Sequence, residues 1–339
     1  MNSSANQEFE PPYGAIARAL KKGRVVPFLG AGVSFGTTAA GLEAGQVKGL
    51  PSGVELSRTL ANLVSYPAEN ESDRDDLSKV ASYFVEASGR RSLREILHET
   101  FNRDYTPRKI HRFLADIERP LLIVTTNYDD LTERAFKDSG RPYDLVVHPT
   151  DRTDMAGAVL WWKAGETQPV AEAPNRLPMT ERLRTTTVIY KMHGTVVRSW
   201  FKGQTAPPDD EEDERPYRDD SYVITEEDYI DFIHRMTMQA AVPTQFMDFF
   251  STRQFLFLGY GLRDWNLRVV LKNLNSVLKI QATNKRMDDD EEADPSWAIQ
   301  KQPSPLERKL WDRRGVEIYN KDLDEFVDEL RKTENVGLI

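Results

Sequence analysis

The chain has 339 residues, with 45 Lys and Arg against 54 Asp and Glu, a formal charge of −9 and 39 % hydrophobic residues; this composition excludes global disorder and accommodates one large domain or two smaller ones. The acidic balance offers no broad attraction to phosphate backbones or anionic lipid, so neither direct nucleic-acid binding nor membrane binding is expected. The absence of cysteine excludes disulfides, thiolate zinc sites, iron–sulfur clusters and cysteine nucleophiles together.

Residues 1–12 read as a flexible polar arm without a basic-then-apolar signal pattern, and no later apolar run approaches the ~20 residues needed to cross a bilayer. The expected location is the cytoplasm. Tyr13 to Lys22 has helical apolar spacing, and Arg24 to Leu29 is a short β-rich run ending in glycine. Phe35 to Gly49 is small and flexible. Ser52 with Glu55 forms a capping box before Leu56, Leu60 and Leu63, which predicts a helix. Helical patterns continue through Leu77–Phe84, through Leu93–Phe101, where Ser92 and Glu95 repeat the cap signature, and from Pro107 to Ile117. This block is a helical insertion at about 53–117 within a domain running from 13 to 332.

Leu121 to Thr126 is a continuous apolar strand, and Asn127 to Phe136 behind it starts like a helix. Further buried strands are expected at Tyr143–Val147, Val159–Trp162, Thr187–Met192, Gln254–Leu258 and Val316–Tyr319. Helices are expected at Trp265–Leu278, Pro305–Arg313 and Leu323–Leu330. Such alternation predicts a parallel sheet covered by helices on both faces. Two acidic stretches, about 203–220 and 284–305, read as irregular loops whose charges are solvated rather than metal ligands.

Four strand ends carry chemistry. Val25 to Leu29 runs into Gly30-Ala31-Gly32-Val33-Ser34, where glycine allows a sharp turn and lets amides approach a phosphate without a Cβ in the way. A bare turn is the plain alternative. Phe35 stands where the dehydrogenase fingerprint needs a third glycine, and Glu55, near the position of its ribose-binding acid, sits at a helix start, which argues against hydride transfer. No Gly-Lys-Ser/Thr follows either glycine, which argues against a P-loop.

Thr125-Thr126-Asn127-Tyr128-Asp129 places an amide and a carboxylate at the sheet edge where open α/β folds bind ligands, although either could merely cap the next helix. Of five histidines, His193 alone ends a strand before a glycine, where a neutral imidazole can act as general base. No second histidine lies at ligand spacing, so no metal is expected. Phe255 to Leu258 leads into Gly259-Tyr260-Gly261, a second strand-to-Gly-x-Gly junction. Together the four junctions point to a nucleotide spread along the carboxyl edge of the sheet.

In this order, Gly-Ala-Gly-Val-Ser, Thr-Thr-Asn-Tyr-Asp, Lys-Met-His-Gly and Leu-Gly-Tyr-Gly-Leu-x-Asp resemble the sirtuin-like (Sir2-like) NAD-hydrolysing domains of bacterial anti-phage defence systems, from about Val25 to Leu330. Gly49-Leu50-Pro51-Ser52 is similar to the family's short Gly-x-Pro segment, and the insertion Phe35 to Lys48 departs from it. The resemblance implies an α/β fold: a Rossmann-like doubly wound parallel sheet with an inserted smaller helical module and, without cysteine, no zinc ribbon. It implies that Ala31, Gly32 and Ser34 lie against the phosphates and ribose of NAD+, Asn127 positions water and the nicotinamide-side ribose, Asp129 helps hold the carboxamide, and His193 is the catalytic base. Gly259 and Gly261 would border the adenosine half, with Gly30, Pro51, Thr126 and Tyr260 completing the contacts.

The activity so implied is an NAD+ glycohydrolase, releasing nicotinamide and ADP-ribose as the effector of abortive-infection defence. The alternatives are a protein deacylase, put in doubt by the missing zinc ribbon, and a non-catalytic NAD or ADP-ribose sensor that gates a partner. Control is expected from outside the domain. Homo-oligomer contacts, a HerA-type ATPase/translocase or a short Argonaute are the partners that the resemblance suggests.

Overall fold

The computed structural model describes residues 10–36, 49–149, 157–196, 220–238, 241–261 and 295–333. Most of the N-terminal arm, the helix expected at Trp265–Leu278, nearly all of the first acidic stretch and the first half of the second lie outside the described residues. So does most of the Phe35–Gly49 segment.

The β-branched and apolar runs pair as a nine-stranded sheet in the order β11-β10-β9-β1-β2-β6-β3-β4-β5. These strands are β1 (Val25–Leu29), β2 (Leu122–Thr125), β3 (Tyr143–Val147), β4 (Val159–Trp162), β5 (Val170–Glu172), β6 (Thr187–Lys191), β9 (Gln254–Leu258), β10 (Ser296–Gln300) and β11 (Val316–Asn320). From β11 across to β3 all pairs are parallel; β4 and β5 turn back antiparallel at one edge. The fold is a doubly wound α/β sheet. After β1 the chain first builds toward β2, β6 and β3, then returns to build β9, β10 and β11 on the other side. β1 is therefore the switch point, and a crevice opens at its carboxyl end.

Alternate side chains of each central strand are buried on opposite faces. Val26, Phe28, Val124, Tyr190 and Phe257 pack beneath α6 (Met179–Thr185), α7 (Glu226–Thr237), α8 (Thr244–Thr252) and α9 (Pro305–Asp312). Leu29, Ile123, Ile189 and Leu258 pack against α1 (Tyr13–Lys21), α4 (Lys109–Asp116), α5 (Leu131–Asp138) and α10 (Leu323–Lys332). Each such side chain contributes roughly 1.5–3 kcal/mol on burial, which makes this double layer the bulk of the core.

A third cluster forms the small module: α2 (Gly53–Leu63) and α3 (Leu77–Phe101) join Tyr105, Leu131, Tyr222 and Ile224. Here β7 (Gly194–Thr195) pairs antiparallel with β8 (Ser221–Tyr222). The Ser52–Glu55 capping box forms in both directions.

Three expectations are corrected. The expected insertion to residue 117 stops earlier, because α4 buries Ile110, Phe113 and Leu114 in the sheet layer rather than in the module. The two helical patterns in 77–101 meet at a kink at Gly89 (φ 82°, ψ 154°), but the cap expected from Ser92 is not what its hydroxyl makes, since it donates to Ser88 O. The second acidic stretch, expected to be irregular to residue 305, carries β10, whose Trp297, Ala298 and Ile299 are buried inside the sheet. Charges at 288–292 mask, to a reader of composition, a strand that starts only four residues later.

Candidate functional site

At the switch point, the two Gly-x-Gly loops pack against each other. Gly30 N–H donates to Leu258 O (3.0 Å) and Gly32 N–H to Gly259 O (2.8 Å). Gly259 has φ +69°, and a Cβ there would lie 2.3 Å from Val33 N; a Cβ on Gly32 would lie 2.7 Å from Gly259 O. Glycine is thus required by loop-on-loop contact. Gly30 and Gly32 sit behind the cavity wall, whereas Ala31, Ser34, Gly259, Tyr260 and Gly261 line it.

The tip of β2 is laced to the first loop. Thr125 Oγ1 donates to Leu29 O (3.0 Å) and accepts from Asn127 N–H (3.0 Å). Thr126 Oγ1 lies 2.8 Å from the Tyr260 hydroxyl, which donates to Leu29 O. Asn127 Nδ2 donates to Gly30 O (3.1 Å) and Ser34 Oγ (3.3 Å), and Ser34 Oγ donates to Asp129 Oδ2 (2.9 Å). Asp129 Oδ1 accepts from Leu131 N–H at the start of α5 (3.1 Å), so the capping reading holds for Asp129 in part and for Asn127 not at all. With both amide hydrogens engaged, Asn127 keeps Oδ1 as a spare acceptor among the described residues. A water or sugar hydroxyl is the natural donor to it.

Lys191, in the Lys-Met-His-Gly motif, takes a role that the sequence alone does not assign. The ammonium at the tip of β6 is fully buried and donates to Tyr128 O (3.2 Å), Asp129 O (2.5 Å) and Glu133 Oε1 (2.9 Å). It clamps the two carbonyls that follow Asn127 and is neutralised by Glu133. A buried charge is tolerated only with such partners. A lysine ending an apolar strand was the available signal.

His193 follows on the same tip. Its carbonyl accepts from Val223 N–H (3.0 Å), which ties it to the segment that follows β8. The residue is 6 % exposed, and its ring meets Tyr229 (5.5 Å between centroids) and Phe232 (5.1 Å) edge to face. Burial pushes the imidazole pKa down to about 3, so it is neutral at working pH. Nε2 has no hydrogen-bond partner among the described residues. A second buried histidine, His111 on α4, is lowered to about 4 for the same reason and accepts from Arg108 N–H.

These groups share one cavity of about 1020 Å³, its open mouth included. Thr126, Asn127, Asp129, His193, Ala31, Ser34, Tyr260 and both glycines 259 and 261 form the sheet side. The helical module closes the opposite side with Leu50, Pro51, Leu56, Leu77 and Phe101, and Tyr229 of α7 stands beside His193. Of these, only Pro51 was singled out as a site residue from the sequence. Tyr128 bridges the two sides: its hydroxyl donates to Val223 O and its ring packs edge to face on Phe101 and Tyr222.

The arrangement offers one anionic carboxylate, one free amide oxygen, one neutral imidazole and an apolar lid wall. That set can hold a cationic heterocycle, orient a water and take a proton from it. Among the described residues, no His, Cys, Asp and Glu group is placed to hold a metal ion, and no helix is long and apolar enough to cross a membrane.

The family model for the SIR2-like domain matches residues 121–319. NAD(+) hydrolase ThsA of Enterococcus faecium is 26 % identical over 267 residues, covering 78 % of this chain and 42 % of that protein. Defense-associated sirtuin 2 of Bacillus subtilis is 21 % identical over 307 residues, 89 % of this chain and 24 % of its own length. NAD(+) hydrolase ThsA of Cytobacillus dafuensis is 23 % identical over 262 residues, 77 % of this chain and 40 % of its own. The chain spans less than half the length of these curated relatives.

Proposed function

From the premise that this chain belongs to the SIR2-like domain family, whose model covers more than half of it, we propose that it hydrolyses the nicotinamide–ribose bond of NAD+. The products are nicotinamide and ADP-ribose, and the loss of cellular NAD+ serves anti-phage defence. The observation that supports this reading is the meeting of Asn127, Asp129 and His193, from two strand tips, in one cavity. The names of the ThsA relatives point the same way.

The C1′–N1 bond breaks with its electron pair leaving on nicotinamide, and an oxocarbenium-like ribose remains. Water adds its oxygen to C1′, and one proton departs. Asn127 Oδ1 accepts a hydrogen bond from that water and so holds it on one face of the sugar. His193 takes the proton and passes it to solvent. An imidazole of such low basicity is sufficient, because water bonded to C1′ is strongly acidic, and neutrality ensures that the base is free before the step. Asp129 places negative charge beside the pyridinium-side half of the substrate, and its carbonyl is held by Lys191. Ala31, Ser34, Pro51, Thr126, Gly259, Tyr260 and Gly261 provide the remaining contacts, with the apolar module excluding bulk water. Activity is restrained through homo-oligomer contacts or a separate partner protein.

Purified protein incubated with NAD+ and separated by chromatography is expected to release nicotinamide and ADP-ribose in equal amounts. With acetylated peptide added, formation of O-acetyl-ADP-ribose would instead identify a deacylase. Saturable NAD+ binding without nicotinamide release, alone and with candidate partners, would identify a sensor.

A further inference from the structure

A second cavity lies at the amino ends of the same strands, across the sheet from the cleft. Its wall is formed by Gly23 before β1, Arg119 and Pro120 before β2, Thr180, Leu183 and Arg184 of α6, and Phe249 and Arg253 before β9. It encloses about 630 Å³ with its mouth. Among the described residues, three guanidinium groups share this wall with no carboxylate on it, in a chain whose formal charge is −9. The acidic residues nearest in sequence, Glu118, Glu181 and Asp248, are not part of the lining.

The arginines are held by backbone and ring contacts. Arg253 Nε donates to Gly23 O (2.6 Å), and its guanidinium lies 3.4 Å from the centroid of the Phe249 ring. Arg119 packs against the other side of the same glycine: a Cβ on Gly23, which has φ +64°, would come within 2.5 Å of Arg119 Nε. Two like charges are thus seated on one residue that must be glycine. Burial, and then the charge of Arg119, both push the Arg253 pKa down, and no described residue of the wall carries an opposite charge. Ion pairs elsewhere on the molecule are made with adjacent acids, as Arg182 does with Asp144.

We propose that this cavity binds a phosphoryl group, with Arg119, Arg184 and Arg253 as its donors. The guanidinium fork matches two phosphoryl oxygens at once, and a doubly charged anion offsets the mutual repulsion of the arginines. Thr180 adds a hydroxyl to the same wall. Pro120, Leu183 and Phe249 add apolar surface that suits the organic part of a small organophosphate. The concave form favours a small ligand over a polymer backbone.

Isothermal titration of the full chain at low ionic strength, with inorganic pyrophosphate and separately with phenyl phosphate, tests this. Saturable binding of at least one probe is expected, weakened about tenfold or more by Arg119→Ala and by Arg184→Ala, and unchanged by Lys309→Ala, an exposed cation on α9. Both targeted arginines are exposed, so both variants are expected to fold. Tighter binding of phenyl phosphate identifies an organophosphate as the source, and binding of pyrophosphate alone identifies the free anion. Absence of saturable binding of either probe, binding indifferent to the two arginines, or equal weakening by Lys309→Ala would overturn the assignment.

Discussion

The two walls of the cleft are built on opposite principles. The sheet wall is polar and buried: Ser34, Asn127, Asp129, Lys191 and Glu133 form one hydrogen-bonded chain from the first loop to the start of α5. The module wall is apolar, facing the cavity with Leu50, Pro51, Leu56, Leu77 and Phe101. Orientation is therefore set on one side and exclusion of water on the other. A directional network fixes atoms because each bond constrains the next, whereas apolar contact fills space without choosing an angle. Changes on the sheet wall are expected to act on turnover, and changes on the module wall on substrate affinity.

The sharpest way to break this division is Lys191→Met. It leaves Glu133 buried without its partner and is expected to cost about 3–5 kcal/mol in urea unfolding. The double variant Lys191→Met/Glu133→Leu should recover most of that stability yet stay slow, because the carbonyls of Tyr128 and Asp129 are still unclamped. Full turnover in the double variant would reduce Lys191 to a structural role. Next, Asn127→Ala and His193→Ala are each expected to lower nicotinamide release by ~10²-fold or more, with circular dichroism unchanged.

The buried histidines supply a pH test. His193 and His111 stay neutral in the fold down to about 3 and about 4, whereas in the unfolded chain each binds a proton near 6.5. Between those values the unfolded state holds more protons. Stability is therefore complete above about pH 6.5 and falls as pH drops below it, by about 1.4 kcal/mol per pH unit for each histidine. Urea midpoints from pH 7 to 5 should show this slope, and His193→Asn should remove about half of it. In the same window, kcat/KM should show no inflection from a histidine of ordinary basicity. The smallest effect is expected on the other wall: Leu77→Ala should raise KM by about three- to tenfold and leave kcat within about twofold. A drop in kcat with KM unchanged would contradict the proposed division.

Much of this was legible along the chain. Apolar runs ending in Gly, Asn or His placed four of the central strands and their tips, since a strand buried on both faces is continuous in hydrophobicity and its end is where polarity returns. Asn127, Asp129 and His193 stand out as candidates in that way, as do the loops at Ala31–Ser34 and Gly259–Gly261. Short amphipathic pieces were harder. β5 is exposed, β10 is preceded by a run of acids, and α6, α7 and α8 are short helices whose apolar faces are recognisable only against the sheet they cover. The clamp by Lys191 was invisible because its three acceptors lie 58 to 63 residues away in sequence.

The order of strands and the residue types at their tips are properties of the sequence: hydrophobic period, turn chemistry and capping act over a few neighbours, so local pattern is enough to read them. Tertiary structure decided which glycines face the cavity and which face each other, which helices belong to the module, and how deeply His193 is desolvated. It also gathered three arginines from separate strand ends onto one wall. Each of these depends on contacts between segments tens to hundreds of residues apart, where burial and proximity, rather than the neighbouring sequence, set the energy.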